Sequence, residues 1–188
     1  MISIEISPDV ITRAHEIVEH EKILVPGGVD KSLSHKGPGA VWCGAVGQAA
    51  FERALQLYGV SYDFSAQVSH DYRVGGQTLD VKTKERAVAA QPHYEASAYV
   101  YNQGWQDPDW YAFVSLQIAS GFTKSSAPDD WKYSHAHIGG VIAKERFKKI
   151  AKLVEEGSQL PNGQQAGFKS LNTTYSECEP VTALRRQA

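Results

Sequence analysis

Within residues 71–82 two aspartates and a lysine flank a glycine pair, in the order Asp71, Gly75-Gly76, Asp80, Lys82. Around those glycines apolar and polar residues nearly alternate, in Tyr72-Arg73-Val74 and in Gln77-Thr78-Leu79-Asp80-Val81-Lys82. Period-two patterning around Gly-Gly predicts a β-hairpin with a two-residue turn. Such a turn pairs Val74 with Gln77, Arg73 with Thr78, Tyr72 with Leu79 and Asp71 with Asp80. Lys82 and Lys84 then share the face of Asp80, while Tyr72, Val74, Leu79 and Val81 point to the buried face. Two carboxylates directly opposed across strands repel. A divalent cation between them reverses the sign of that interaction. Mg²⁺ takes hard oxygen ligands and typically only one or two protein carboxylates, so the backbone carbonyl of Val81 is a candidate third protein ligand. A cation acidifies an attacking water and offsets charge on a phosphate, and the Lys82 ammonium beside it would position that water or help deprotonate it. These are the parts that phosphodiester hydrolysis needs.

The elements expected to position these groups follow from the flanking sequence. Ser7-Pro8-Asp9 is a helix start, and Ile11, Ala14, Ile17 and Val18 at helical spacing predict an amphipathic helix over 8–21. Residues 25–40 are rich in Gly, Ser and Pro and read as a loop. Val46, Ala50, Phe51, Ala54, Leu55 and Tyr58 predict a helix over 45–58 that stops at Gly59. Gln48 and Glu52 lie one turn apart beside its apolar stripe. Further strands are expected near 60–64, 94–101, 111–118 and 137–142. A third helix is expected over 143–156, with Phe147, Ile150, Ala151 and Val154 on one face and Gly157 as its stop. The tail after Gln159 is weakly patterned. This order of helix, strands and helix predicts an α/β protein with a mixed central sheet.

An acidic residue on a helix, then Asp71, a hairpin and Asp80-Val81-Lys82-Thr83-Lys84, resembles the PD-(D/E)XK nuclease superfamily. The later segments Trp110-Tyr111-Ala112-Phe113-Val114 and 137–147 resemble the aromatic strand and the strand-helix of small members in phages and restriction systems. The resemblance covers roughly residues 41–150. It implies a restriction-endonuclease-like fold, a mixed central β-sheet flanked by helices, and a Mg²⁺- or Mn²⁺-dependent deoxyribonuclease. Carried over by position, Asp71 and Asp80 would hold the metal with Val81 O, and Lys82 would serve the water. Glu52, as metal ligand and catalytic group, or Gln48 would be the helix contribution, and Lys84 a contact to the phosphate backbone. Relatives often place the helix acid directly after a glycine, where this chain has Gln48 after Gly47.

At 188 residues the chain is read as one nuclease-like domain over 1–188, with a core of about 41–156, an N-terminal helix and loop over 1–40, and a C-terminal extension over 157–188. No apolar run approaches the roughly eighteen residues of a membrane helix, and Met1-Ile2-Ser3-Ile4-Glu5 lacks the pattern of a secretory signal. Cys43 and Cys178 are the two cysteines, which suits a reduced, cytoplasmic protein better than a disulfide framework. The net charge of −2 does not announce a DNA binder. DNA as partner is therefore an expectation from the site, with a homodimer or protein partner as a source of basic surface. Lys82, Lys84 and Arg86 form one basic cluster; Lys144, Arg146, Lys148, Lys149 and Lys152 form another, equally readable as a solvated helix face. Two other readings stand beside the nuclease. One is a nucleic-acid-binding or regulatory module on the same fold with reduced catalysis. The other is a zinc protein using His135 and His137, for which the characteristic further ligands are lacking in the sequence.

Overall fold

A computed structural model describes residues 1–24, 38–67, 70–99, 107–159, 165–166 and 169–186. The protein is mixed α/β, with a six-stranded sheet, a three-stranded sheet and helices. The large sheet has the order β1 (Ile2–Glu5), β7 (Tyr133–Ala143), β6 (Trp110–Ile118), β4 (Gln77–Arg86), β3 (His70–Val74), β2 (Asp63–Gln67). Every neighbouring pair is antiparallel except β4 and β6, which run parallel from Leu79↔Trp110 to Arg86↔Gln117. The small sheet has the order β5 (Glu95–Tyr99), β9 (Ser170–Thr174), β8 (Lys152–Val154).

Helix α1 (Pro8–Leu24) forms where its start signal and apolar spacing place it. Helix α2 (Pro38–Leu57) begins earlier than its apolar stripe suggested. Pro38 stands in the first turn, where its missing N–H forfeits no helical hydrogen bond and its fixed φ suits the helix. The expected loop is thus corrected at 38–40, and its remainder, 25–37, lies outside the described residues. Both helices pack on one face of the large sheet, over a core that includes Ile17, Val46, Phe51, Leu55, Tyr72, Leu79, Val114 and Ile138. On the other face Tyr111, Phe113 and Ile142 meet Phe147 of α3 (Lys144–Ile150), Tyr175, and Ala96 and Ala98 of β5. Alternation along β6 explains the division: Ala112, Val114 and Leu116 go to one core, Tyr111 and Phe113 to the other.

The helix expected over 143–156 is corrected. It ends at Ile150, Ala151 turns extended with its N–H on Phe147 O, and Lys152–Val154 pairs with β9. The apolar spacing of 147–154 serves a short helix followed by a strand as well as one helix. Strands β1, β8 and β9 had no local signal strong enough to announce them. Among the described residues, no helix is long and apolar enough to cross a membrane.

Candidate active site

The β3–β4 hairpin has the register that its glycine turn dictates: Val74↔Gln77, Arg73↔Thr78 and Tyr72↔Leu79. Gly75 (φ 57°) and Gly76 (φ 82°) both take the left-handed backbone that such a tight turn requires. The expected next pair, Asp71 with Asp80, does not form, and the ladder ends at Tyr72–Leu79. In a continued antiparallel ladder the Val81 N–H would donate to the His70 carbonyl. Instead it donates to Asp71 Oδ2 at 2.7 Å, and the His70 carbonyl accepts from Ser65 Oγ at 3.4 Å. A carboxylate thus replaces a backbone acceptor. The two strands part at the point where two acidic side chains would otherwise have been forced face to face.

Helix α2 completes the seat of Asp71. Gln48 Nε2 donates to Asp71 Oδ1 at 2.9 Å. The helix reaches this close because of Gly47: a Cβ there would lie 2.1 Å from Thr83 Oγ1 and 2.9 Å from Thr83 Cβ, on the strand that carries Asp80 and Lys82. Gln48 is buried, and its other amide atom, Oε1, has no hydrogen-bond partner among the described residues. An orphaned buried carbonyl oxygen is unfavourable by itself and suits a ligand that needs an oxygen donor.

Asp80 is 4% exposed and lies on the face opposite α2, in register with Tyr111 of β6. Its Oδ2 is 2.7 Å from Lys82 Nζ, a close ion pair rather than a well-aligned hydrogen bond. Burial, with Asp80 nearby, raises the Tyr111 phenol to about 12, so its hydroxyl stays protonated beside the carboxylate at neutral pH. His70 is buried one residue before Asp71, and burial holds its imidazole below the ordinary range while Asp80 and Asp109 pull the other way. Neither residue stood out in the sequence as a site group. Tyr111 reaches Asp80 through a parallel strand pairing that local patterning does not reveal.

Glu52 requires a correction. It is buried, but it meets β3 at Tyr72 rather than at Asp71. Arg13 donates from Nε to Glu52 Oε2 at 2.7 Å and from Nη2 to Oε1 at 2.9 Å. Tyr72 Oη donates to Oε1 at 3.1 Å and Tyr62 Oη to Oε2 at 3.3 Å. Both oxygens are committed, so the helix group that touches Asp71 is Gln48. Lys84 lies half-buried, in register with Ser115, on the face of Asp80 and Lys82.

The oxygen donors near the end of the β3–β4 ladder are the Asp71 carboxylate with Gln48 on the side of α2, and the Asp80 carboxylate beside Lys82 on the opposite face. Their chemistry fits Mg²⁺, which uses few protein carboxylates. Among the described residues, no group of three or more His, Cys, Asp or Glu side chains is gathered to hold a metal ion. The His135 and His137 rings stack with centroids 6.3 Å apart, and His137 Nε2 lies 3.0 Å from Gln117 Oε1.

Other charged residues hold the frame. Asp109 Oδ2 accepts from Thr78 N and Thr78 Oγ1, each at 2.9 Å, tying the start of β6 to the hairpin. Asp107 binds Lys144 at 3.1 Å and Lys148 at 3.0 Å, while Arg146 meets Glu177 and Glu179. Much of the second basic cluster is thus neutralised within the chain. Compared with known proteins, the chain matches no family model and no curated protein.

Proposed function

We propose that this protein is a metal-dependent nuclease that hydrolyses phosphodiester bonds in DNA, on a restriction-endonuclease-like fold. The observation that carries the reading is the parting of β3 and β4. There Asp71 is seated on Val81 N and Gln48, and one residue before Val81 on the same strand Asp80 pairs with Lys82. Departures from a regular strand ladder, such as a backbone N–H given over to the half-buried Asp71 carboxylate, are expected mainly at functional sites. The six-stranded mixed sheet with α2 on one face and the hairpin next to a parallel strand supports the fold assignment.

In this reading Asp71 and Asp80 hold Mg²⁺ or Mn²⁺, with Val81 O and Gln48 Oε1 as neutral oxygen donors. The cation supplies Lewis acidity and offsets negative charge developing on the phosphate. Lys82, anchored by Asp80, orients the attacking water and donates to a phosphate oxygen. The water oxygen bonds to phosphorus as the bond to the leaving oxygen breaks; the water proton passes to solvent, and the leaving oxygen takes one up. Tyr111, still protonated, is a neutral donor beside Asp80. Lys84 contacts the phosphate backbone from the next position on the same face of β4.

One observation favours a second reading. The helix contributes an amide, Gln48, and its acid is committed to Arg13. A site with two carboxylates would serve a nucleic-acid-binding module with reduced catalysis. Incubating supercoiled and linear DNA with the wild type and with Asp80→Ala, in Mg²⁺, Mn²⁺ or EDTA, separates the two. Metal-dependent cutting by the wild type alone supports the nuclease; binding without cutting supports the module.

A further inference from the structure

We propose that Arg13 of α1 is a positioning residue for Asp71, acting through Glu52 and Tyr72; the inference rests on the nuclease reading for its catalytic meaning. Gln48 and Glu52, one helical turn apart on α2, grip consecutive residues of β3: Gln48 holds the Asp71 carboxylate and Glu52 the Tyr72 hydroxyl. Tyr72 is fully buried and is the last residue of β3 paired with β4. The β3–β4 register ends there, and the Asp71 carboxylate takes the Val81 N–H and Gln48 Nε2 from the position that the neighbouring Tyr72 gives its backbone. Whatever fixes Tyr72 therefore fixes the root of the Asp71 side chain.

Tyr72 is fixed by a carboxylate that water barely reaches, since Glu52 is 4% exposed. A buried carboxylate stays ionised only if it is paired and hydrogen-bonded. The Arg13 guanidinium meets this need with two hydrogen bonds in a forked arrangement, and it stacks over Phe64 at 4.8 Å, so its own orientation is constrained. Without Arg13, the Glu52 carboxylate loses its forked partner and is free to turn away, which loosens the acceptor of the Tyr72 hydroxyl. The sequence hides this link, because Arg13 and Glu52 stand 39 residues apart. A metal ligand at the end of a strand ladder is sensitive to such loosening, since active-site geometry tolerates about 0.5 Å.

The test uses Arg13→Ala, Arg13→Lys and Tyr72→Phe. The last keeps the Arg13–Glu52 pair and removes only the hydroxyl, which protects the test against a simple failure to fold. Two readouts are taken on the full chain. Amide hydrogen exchange at Val81 reports the seat of Asp71 without requiring any activity. The Mg²⁺ concentration for half-maximal DNA cleavage reports the consequence for the site. The expected result is a rise in Val81 exchange of about tenfold in Tyr72→Phe and Arg13→Ala, the scale of one lost hydrogen bond. Amides of the β4–β6 ladder should keep their protection. The Mg²⁺ half-saturation point should rise by roughly tenfold as the ligand is misplaced, with Arg13→Lys intermediate because an ammonium cannot reproduce the fork. Unchanged Val81 exchange in Tyr72→Phe and Arg13→Ala overturns the inference whatever cleavage does. Raised exchange with unchanged metal dependence overturns its role in the reaction. A wild type that cuts no DNA sinks the nuclease reading and that role with it, and Val81 exchange then decides the seating of Asp71 alone.

Discussion

Gln48 Nε2 lies 2.9 Å from Asp71 Oδ1 while the same carboxylate takes the Val81 N–H through Oδ2, so one aspartate joins helix α2 to strand β4. The amide must present nitrogen to this carboxylate, which leaves Gln48 Oε1 buried with no donor among the described residues. The position of α2 is therefore adjusted to Asp71, and a change at Gln48 should be felt by any cation held there.

Gln48→Glu replaces an attractive contact with two facing carboxylates. Without divalent cations the variant should be less stable than the wild type by about 1–3 kcal/mol, the scale of an unsatisfied buried polar group. Millimolar Mg²⁺ should raise its melting temperature by more than it raises that of the wild type, because the added oxygen is charged and binding stabilises the folded state. Thermal unfolding with and without Mg²⁺ measures both. An equal Mg²⁺ response in the two proteins would remove Gln48 from the metal's surroundings.

Gly47→Ala probes the approach of α2 to β4. Its Cβ would fall 2.1 Å from Thr83 Oγ1 and 2.7 Å from Thr83 Cγ2, and Thr83 is itself half-buried. Overpacking of this kind destabilises by about 1–3 kcal/mol. The displaced helix should also carry Gln48 away from Asp71, so exchange at Val81 should rise together with the loss of stability seen in urea unfolding. Ala at this position with wild-type stability would mean that the helix does not depend on the close contact.

His137 gives the protein a pH response. Burial, and then His135, hold its imidazole below the usual range, so the unfolded chain binds a proton more readily than the folded one. The corresponding stability is fully present above the unfolded value near 6.5 and is lost as pH falls through the folded value. His70, also lowered first by burial, acts in the same direction. Melting temperature should therefore fall between about pH 7 and pH 5, and His137→Gln should flatten part of that fall. A pH profile identical in the variant would show that another group sets it.

The sequence made the hairpin legible because its determinants are local. Gly75-Gly76 sets the turn, and alternation from Tyr72 to Lys82 sets the faces, so the register of the three formed pairs follows. Where the ladder stops was not legible, since alternation does not say whether the Val81 N–H meets a backbone carbonyl or a side chain. The two acids on α2 and β3 were readable as neighbours, yet the pairing of Glu52 with Arg13 was not, because that partner lies 39 residues away, on α1. Tyr111 and His70 were missed for related reasons. One reaches Asp80 across a parallel pairing, and the other sits beside Asp71 without any motif of its own. In 143–156 the same apolar spacing fits both a long helix and a helix followed by a strand, and pairing with β9 decides between them.

The most direct test of the central claim is the single-turnover rate of DNA cleavage by the wild type and by Lys82→Ala at saturating Mg²⁺. Lys82 stands 2.7 Å from Asp80 and is the group assigned to the water and the phosphate. The wild type should cut and stop cutting in EDTA, and the variant should be slower by about 100-fold or more, as when a charge-stabilising donor is removed from an active site. Equal rates in the two proteins, or no metal-dependent cleavage by the wild type, would contradict that claim.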